Sequence, residues 1–78
     1  MREKKLQLVI TFHTTTAAMA MENACMDAGL PGRLIPVPRE ITAGCGMAWK
    51  AAPEFKKALE AFAEQRGIVT AGWYELML

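Results

Sequence analysis

The chain has 78 residues, 53% of them hydrophobic, and a net charge of +1 from nine Lys and Arg against eight Asp and Glu. That length holds one domain, 1–78, and excludes a second, while the near-neutral charge excludes a general nucleic-acid binder, which would gather its basic residues on one face. No apolar run approaches the roughly 18 residues of a membrane span, and Arg2, Lys4 and Lys5 lead into alternating residues, not the apolar stretch of a secretory signal.

Leu6, Leu8, Ile10 and Phe12 alternate with Lys5, Gln7, Val9 and Thr11, the period of a strand with one buried face. His13 ends it. Thr14, Thr15 and Thr16 supply N-cap hydroxyls for a helix whose apolar stripe is Ala17, Ala18, Met21, Ala24, Cys25 and Ala28, stopped by Gly29 and Pro31. Arg33 to Val37 reads as a second strand; Pro36 and Pro38 cannot donate to a ladder, so it belongs at a sheet edge. Met47 to Lys50 reads as a third strand, and Pro53 opens a second helix with Phe55, Ala58, Leu59 and Phe62 inward and Gly67 at its end. Ile68 to Leu76 reads as the last strand, with a bulge or bend at Gly72.

Strand, helix, strand, strand, helix, strand is the order of a ferredoxin-like α+β sandwich: a four-stranded antiparallel sheet with two helices on one face. In that topology the first and third strands are central and the proline-bearing second is an edge. The end of the first strand, the start of the first helix and the connection between the second and third strands then share one rim. A chain this short buries only about 60% of its unfolded surface, so a homodimer would relieve a thin core.

That shared rim carries Gly44-Cys45-Gly46. Glycines on both sides allow positive φ and close backbone approach, so Cys45 reads as a thiol on display. A cysteine reacts as its thiolate, which a helix N-terminus or a neighbouring cation favours. The candidates are the first helix with Thr14 at its start, Arg39, and His13. Gly44 and Gly46 could also aim N–H groups at an anion in a backbone nest. The plainer alternatives are that Cys45 is a small residue starting a strand, that Arg39 and Glu40 form a solvated ion pair, and that His13 is a structural strand end. Cys25 on the helix stripe reads as a buried, inert thiol, and Met19, Met21, Met26 and Met47 as core or interface filler. Glu54, Lys56, Lys57, Glu60 and Glu64 read as a solvated face.

Two cysteines outside any CxxC pair, with no export signal, point to the cytoplasm and free thiols rather than to a Cys25–Cys45 disulfide. No metal site is expected, because Cys45 and His13 make only two ligands where zinc wants three or four. No cofactor is expected either. Neither a carboxylate pair, a Ser/His/Asp set nor a phosphate loop is present, which argues against an enzyme; the alternative is a thiol-dependent transferase in which Cys45 and His13 form a nucleophile–base pair, although a chain this short has little room for a substrate pocket.

Thr11-Phe12-His13, the helix start at Ala18–Glu22, Gly29, Arg33-Leu34-Ile35-Pro36-Val37-Pro38-Arg39-Glu40-Ile41 and Gly44-Cys45-Gly46 together resemble the selenium/sulfur carrier-like family, from Leu6 to about Leu76. The resemblance implies a bacterial or archaeal protein from the setting of selenium and sulfur metabolism. It also implies Cys45 as the carrier residue, with Pro38, Arg39, Glu40 and Ile41 shaping and charging its loop. The family pattern has a serine-threonine-histidine run after the first strand, where this chain has His13-Thr14-Thr15-Thr16.

Two functions follow. In the first, the chain is a carrier rather than a catalyst: Cys45 takes sulfur or selenium, as a persulfide or selenopersulfide, from a donor such as a cysteine desulfurase or another selenium-metabolism protein and passes it on. In the second, the chain is a binding or regulatory module that acts through its sheet edge or apolar surface.

Overall fold

The computed structural model describes residues 4–41 and 44–78; Arg2 lies outside them, as do Thr42 and Ala43 of the glycine-cysteine loop. The elements are β1 (Leu6–Thr11), α1 (Thr15–Ala28), β2 (Arg33–Pro36), β3 (Met47–Ala51), a 3-10 turn (Pro53–Phe55), α2 (Lys56–Arg66) and β4 (Gly72–Met77). The strands form one antiparallel sheet in the order β2-β3-β1-β4. This is the ferredoxin-like α+β fold. β1 and β3 are central, and the proline-bearing β2 is an edge.

Leu8, Ile10 and Phe12 of the first strand segment and Trp49 and Ala51 of β3 share a core with Ala18, Met21 and Cys25 of α1 and Leu59 and Ala63 of α2. Both helices therefore cover the same face of the sheet. The stripes are narrower than helical spacing predicts: Ala28 and Ala58 are exposed and Ala24 is half-buried. Ala28 is the last residue of α1, and Ala24 and Ala58 lie on the flank of each stripe away from the buried Ala18 and Ala63. Of the four methionines read as filler, Met21 is buried and Met47 packs on the core, but Met19 and Met26 stand in solvent. The charged positions of the second helix are all exposed, as expected.

The first helix begins as its threonines predict. Thr14 is the N-cap, and its Oγ1 accepts from the Ala17 N–H at 3.1 Å. Gly29 closes the helix in the left-handed conformation at φ 74°, a position glycine occupies without steric cost. Pro53 opens the 3-10 turn, and α2 proper starts only at Lys56.

Two expectations are corrected. The last strand starts at Gly72, not Ile68, because Ile68–Ala71 is used to climb from the end of α2 back to the sheet. Along that climb the Trp73 Nε1–H donates to Thr70 Oγ1 at 3.0 Å. The irregularity expected at Gly72 sits at Ala71–Gly72: Ala71 donates to the Thr11 carbonyl at 2.7 Å while Gly72 is paired with Thr11 in the ladder. Second, β1 is not buried on one face only. Val9 and Thr11 are fully buried on the side away from the helices. There Val9, Ala48 and Ile41 form a second small core, flanked by Ile35, Val37, Leu76 and Leu78. Ile41 reaches it from the connection between β2 and β3, so this connection acts as the missing layer over part of that face.

Candidate functional site

The connection from Val37 to Gly46 is pinned at three points. Its base is closed by the Val37 N–H donating to the Gly46 carbonyl at 3.0 Å. Its near arm turns at Pro38–Ile41, where the Ile41 N–H donates to the Pro38 carbonyl at 3.0 Å. Arg39 and Glu40 occupy the middle of that turn and are exposed, while Ile41 is carried down onto the second core. Proline fixes φ before such a turn and so lowers the entropy lost in forming it.

The far arm meets the end of the first strand segment. The Cys45 N–H donates to the Phe12 carbonyl at 2.9 Å. Gly44 lies so close that a β-carbon there would stand 3.1 Å from the same carbonyl oxygen, and its φ is 108°. Gly46 has φ 96° with no described residue within 4 Å of where a β-carbon would stand. Both glycines thus do what the sequence asked of them, Gly44 through approach and φ together, Gly46 through φ alone.

This contact builds the predicted rim. Phe12 runs directly into His13, which is exposed, and then into the Thr14 cap of α1. Cys45, Gly44, His13 and Thr14 therefore belong to one end of the sheet. The link is made by the Phe12 backbone, not by the His13 imidazole, and no sequence signal marks a carbonyl for that role. The helix brings to this end the N–H groups of its first turn, which lack intrahelical partners.

One expectation about the thiol changes. Cys45 does not stand clear of its neighbours: it is half-buried, packs against the helix-side core, and its Sγ donates to the Met47 carbonyl at 3.8 Å. The alternation of β3 explains this, since Cys45 continues the inward-facing series Met47, Trp49, Ala51. The Cys45 amide between the two glycines is spent on Phe12, so a nest at this loop would rest on the Gly44 and Gly46 N–H groups alone.

The other cysteine contrasts with it. Cys25 is fully buried between α1 and the sheet, and burial pushes its thiol above the ordinary range. Both thiols are free. Among the described residues no group of three or more His, Cys, Asp or Glu is placed to hold a metal ion, and no helix is long and apolar enough to cross a membrane.

The family model described as "Putative Se/S carrier protein-like" matches residues 7–75. That span contains every element from β1 to β4 except the strand termini, together with the whole rim. No curated protein and no solved structure matches the chain.

Proposed function

The chain belongs to the Se/S carrier protein-like family, and from that premise we propose that it carries sulfur or selenium on Cys45 and is not itself a catalyst. The observation that carries this reading is the contrast between two free thiols: one sealed in the core, the other partly open and tethered by its backbone at the end of the sheet. Thiol exchange needs a reachable sulfur held in a fixed place more than it needs a deep pocket.

The transfer conserves sulfur and electrons. Cys45, as its thiolate, attacks the outer sulfur of a donor persulfide. The donor S–S bond breaks, the donor cysteine leaves as a thiolate and takes up the proton that Cys45 gave up, and a new S–S bond stands on Cys45. The same exchange with a selenopersulfide moves selenium. A cysteine desulfurase or a selenium-metabolism protein is the class of donor that supplies such a group. The cytoplasm, where thiols stay reduced, is the compartment that suits it. Arg39, exposed in the turn before the loop, would attract the anionic donor group, with Pro38 and Glu40 flanking it. His13 and Thr14 line the same end.

The test incubates the protein with a cysteine desulfurase and cysteine or selenocysteine, then reads intact mass without reductant. The expected result is a gain of one sulfur or one selenium, mapped to Cys45 and lost in Cys45→Ser. An unmodified wild-type chain, or an adduct that persists in Cys45→Ser, would overturn the reading and favour a binding module acting through the sheet edges.

A further inference from the structure

The near-neutral total charge hides a segregation across the sheet. The two helices and the 3-10 turn carry five acids and three bases, and Glu75, opposite the core residue Leu8, belongs to the same side. Among the described residues the other side gathers four bases, Lys5, Arg33, Arg39 and Lys50, against one acid, Glu40. Lys50 lies between Trp49 and Ala51, which face the helices, so its side chain projects from the other face with that of Ala48. Arg33 precedes the helix-facing Leu34 and shares its face with Ile35. Lys5 exchanges both backbone hydrogen bonds with Leu78 at 2.9 Å, and Leu78 flanks the second core on this side. Arg39 and Glu40 sit in the turn that brings Ile41 down onto it.

Arg33 and Lys50 stand directly opposite each other in the β2–β3 ladder. Like charges in that arrangement are destabilising. Nothing in the ladder offsets them, because the surrounding positions on this face are Ile35, Ala48, Val9, Gln7 and Thr11. Arg33 is exposed but Lys50 is half-buried, so water screens their repulsion only in part. The fold gains nothing from this pair, whereas an anionic partner does.

We propose that this face of the sheet docks an acidic segment of a partner protein. Its carboxylates pair with Arg33 and Lys50, with Lys5 as a third cation further along the face. Its apolar side chains rest on the half-buried Ile35 and Val37 beside them. A guanidinium and an ammonium held side by side suit carboxylates, through charge-assisted hydrogen bonds. A nucleic acid fits less well, since single strands are held by cations interleaved with aromatic rings. Tyr74 is the one aromatic side chain on this face among the described residues. It belongs to β4, at the opposite edge of the sheet from Arg33, and its ring lies back over Gly72, where a β-carbon would come within 2.8 Å of it. Arg39 joins this face to the connection that ends at Cys45, so a partner seated here is held toward the thiol. That consequence rests on the carrier reading; the docking does not.

Fluorescence anisotropy of the full chain with a labelled peptide of glutamates interrupted by leucines tests this at low ionic strength. The peptide is expected to bind the wild type and to bind less as salt is added, and its glutamine counterpart is expected not to bind. Arg33→Glu and Lys50→Glu each remove an attraction and add a repulsion, so each is expected to weaken binding about tenfold. Lys56→Glu and Lys57→Glu, the same change of net charge made on α2, are expected to leave binding within about twofold, which separates this face from total charge. Arg33→Glu also turns a like pair into an opposite one, so its urea midpoint is expected above that of the wild type, and its lost binding is then not lost folding. A midpoint below the wild type would give the pair a structural role and overturn the proposal. So would a wild type that ignores the peptide, equal losses from the α2 variants, or tighter binding of a single-stranded oligonucleotide of the same charge. None of these readouts involves sulfur transfer, so the docking can fail while Cys45 still loads, and the reverse.

Discussion

The Cys45 N–H donates to the Phe12 carbonyl at 2.9 Å, so the position of the thiol is fixed by the strand that the core holds most firmly. Phe12 is fully buried. Whatever Cys45 does chemically, it does from a backbone that cannot wander far.

That tether requires glycine beside it. In Gly44→Ala the new methyl would stand 3.1 Å from the Phe12 oxygen on a backbone at φ 108°. We expect a loss of about 1–3 kcal/mol, seen as a lower urea midpoint with an unchanged slope. Gly46→Ala meets no described residue within 4 Å and should lose less, about 1–2 kcal/mol, from φ alone. Equal losses at the two positions would mean that the approach to Phe12 contributes nothing.

The architecture was legible because its signals are local. Alternation in β1, the threonine cap before α1, Pro53 and the two helix-ending glycines each declare themselves within a few residues. The edge position of β2 followed from the missing N–H of Pro36. The second core was not legible, since Val9 looks like the solvent side of an alternating strand until a loop some thirty residues later lays Ile41 across it. The partial covering of Cys45 was missed for a related reason. The flanking glycines speak of backbone freedom, whereas the parity it shares with Met47 and Trp49 decides where the sulfur points. The start of β4 was set too early because Ile68 and Val69 have strand propensity, and propensity cannot see the distance from α2 back to the sheet.

Burial raises the Cys25 thiol above its ordinary range. A thiol whose folded pKa exceeds its unfolded one contributes stability in full below the unfolded value, about 8.5. The contribution is lost as pH climbs through the folded value, because the unfolded chain then ionises first. We therefore expect the melting temperature to fall on the alkaline side of pH 8.5, and the fall to be shallower in Cys25→Ala. In the same range an alkylating reagent should modify Cys45 much faster than Cys25 in the native protein, and both at similar rates in denaturant. Equal native rates would contradict the burial of Cys25.

Gly32 lies against the Trp49 indole so closely that a β-carbon would come within 2.4 Å of Nε1 and 2.7 Å of the Lys50 carbonyl, at φ 133°. Trp49 is the largest fully buried side chain, so it has nowhere to retreat. Gly32→Ala should cost about 3 kcal/mol or more, the sum of overpacking and a strained φ. The Trp49 Nε1–H has no hydrogen-bond partner among the described residues despite its burial, and such a group costs about 1–3 kcal/mol. Trp49→Phe discards that donor along with part of the ring, so its loss of stability should be clearly smaller than that of Trp49→Ala. If the two truncations cost the same, the cavity left by the ring does not set the loss at this site.

Ile41 and Arg39 separate the loop's structural work from its chemistry. Ile41 is 7% exposed and seals the second core with Val9 and Ala48, so Ile41→Ala should destabilise by about 2–4 kcal/mol. Arg39 sits exposed two residues earlier, and Arg39→Gln should change stability by less than about 0.5 kcal/mol. If Arg39 attracts the anionic donor, that variant will nonetheless take up sulfur from a desulfurase more slowly, with a difference that shrinks as salt is added, since an exposed charge is screened within about a Debye length. Arg39→Lys should recover most of the rate, because attraction at this range needs the charge and not the shape of the guanidinium. A salt-independent rate equal to wild type in Arg39→Gln would remove Arg39 from the transfer and leave the donor to be recognised by the rim itself.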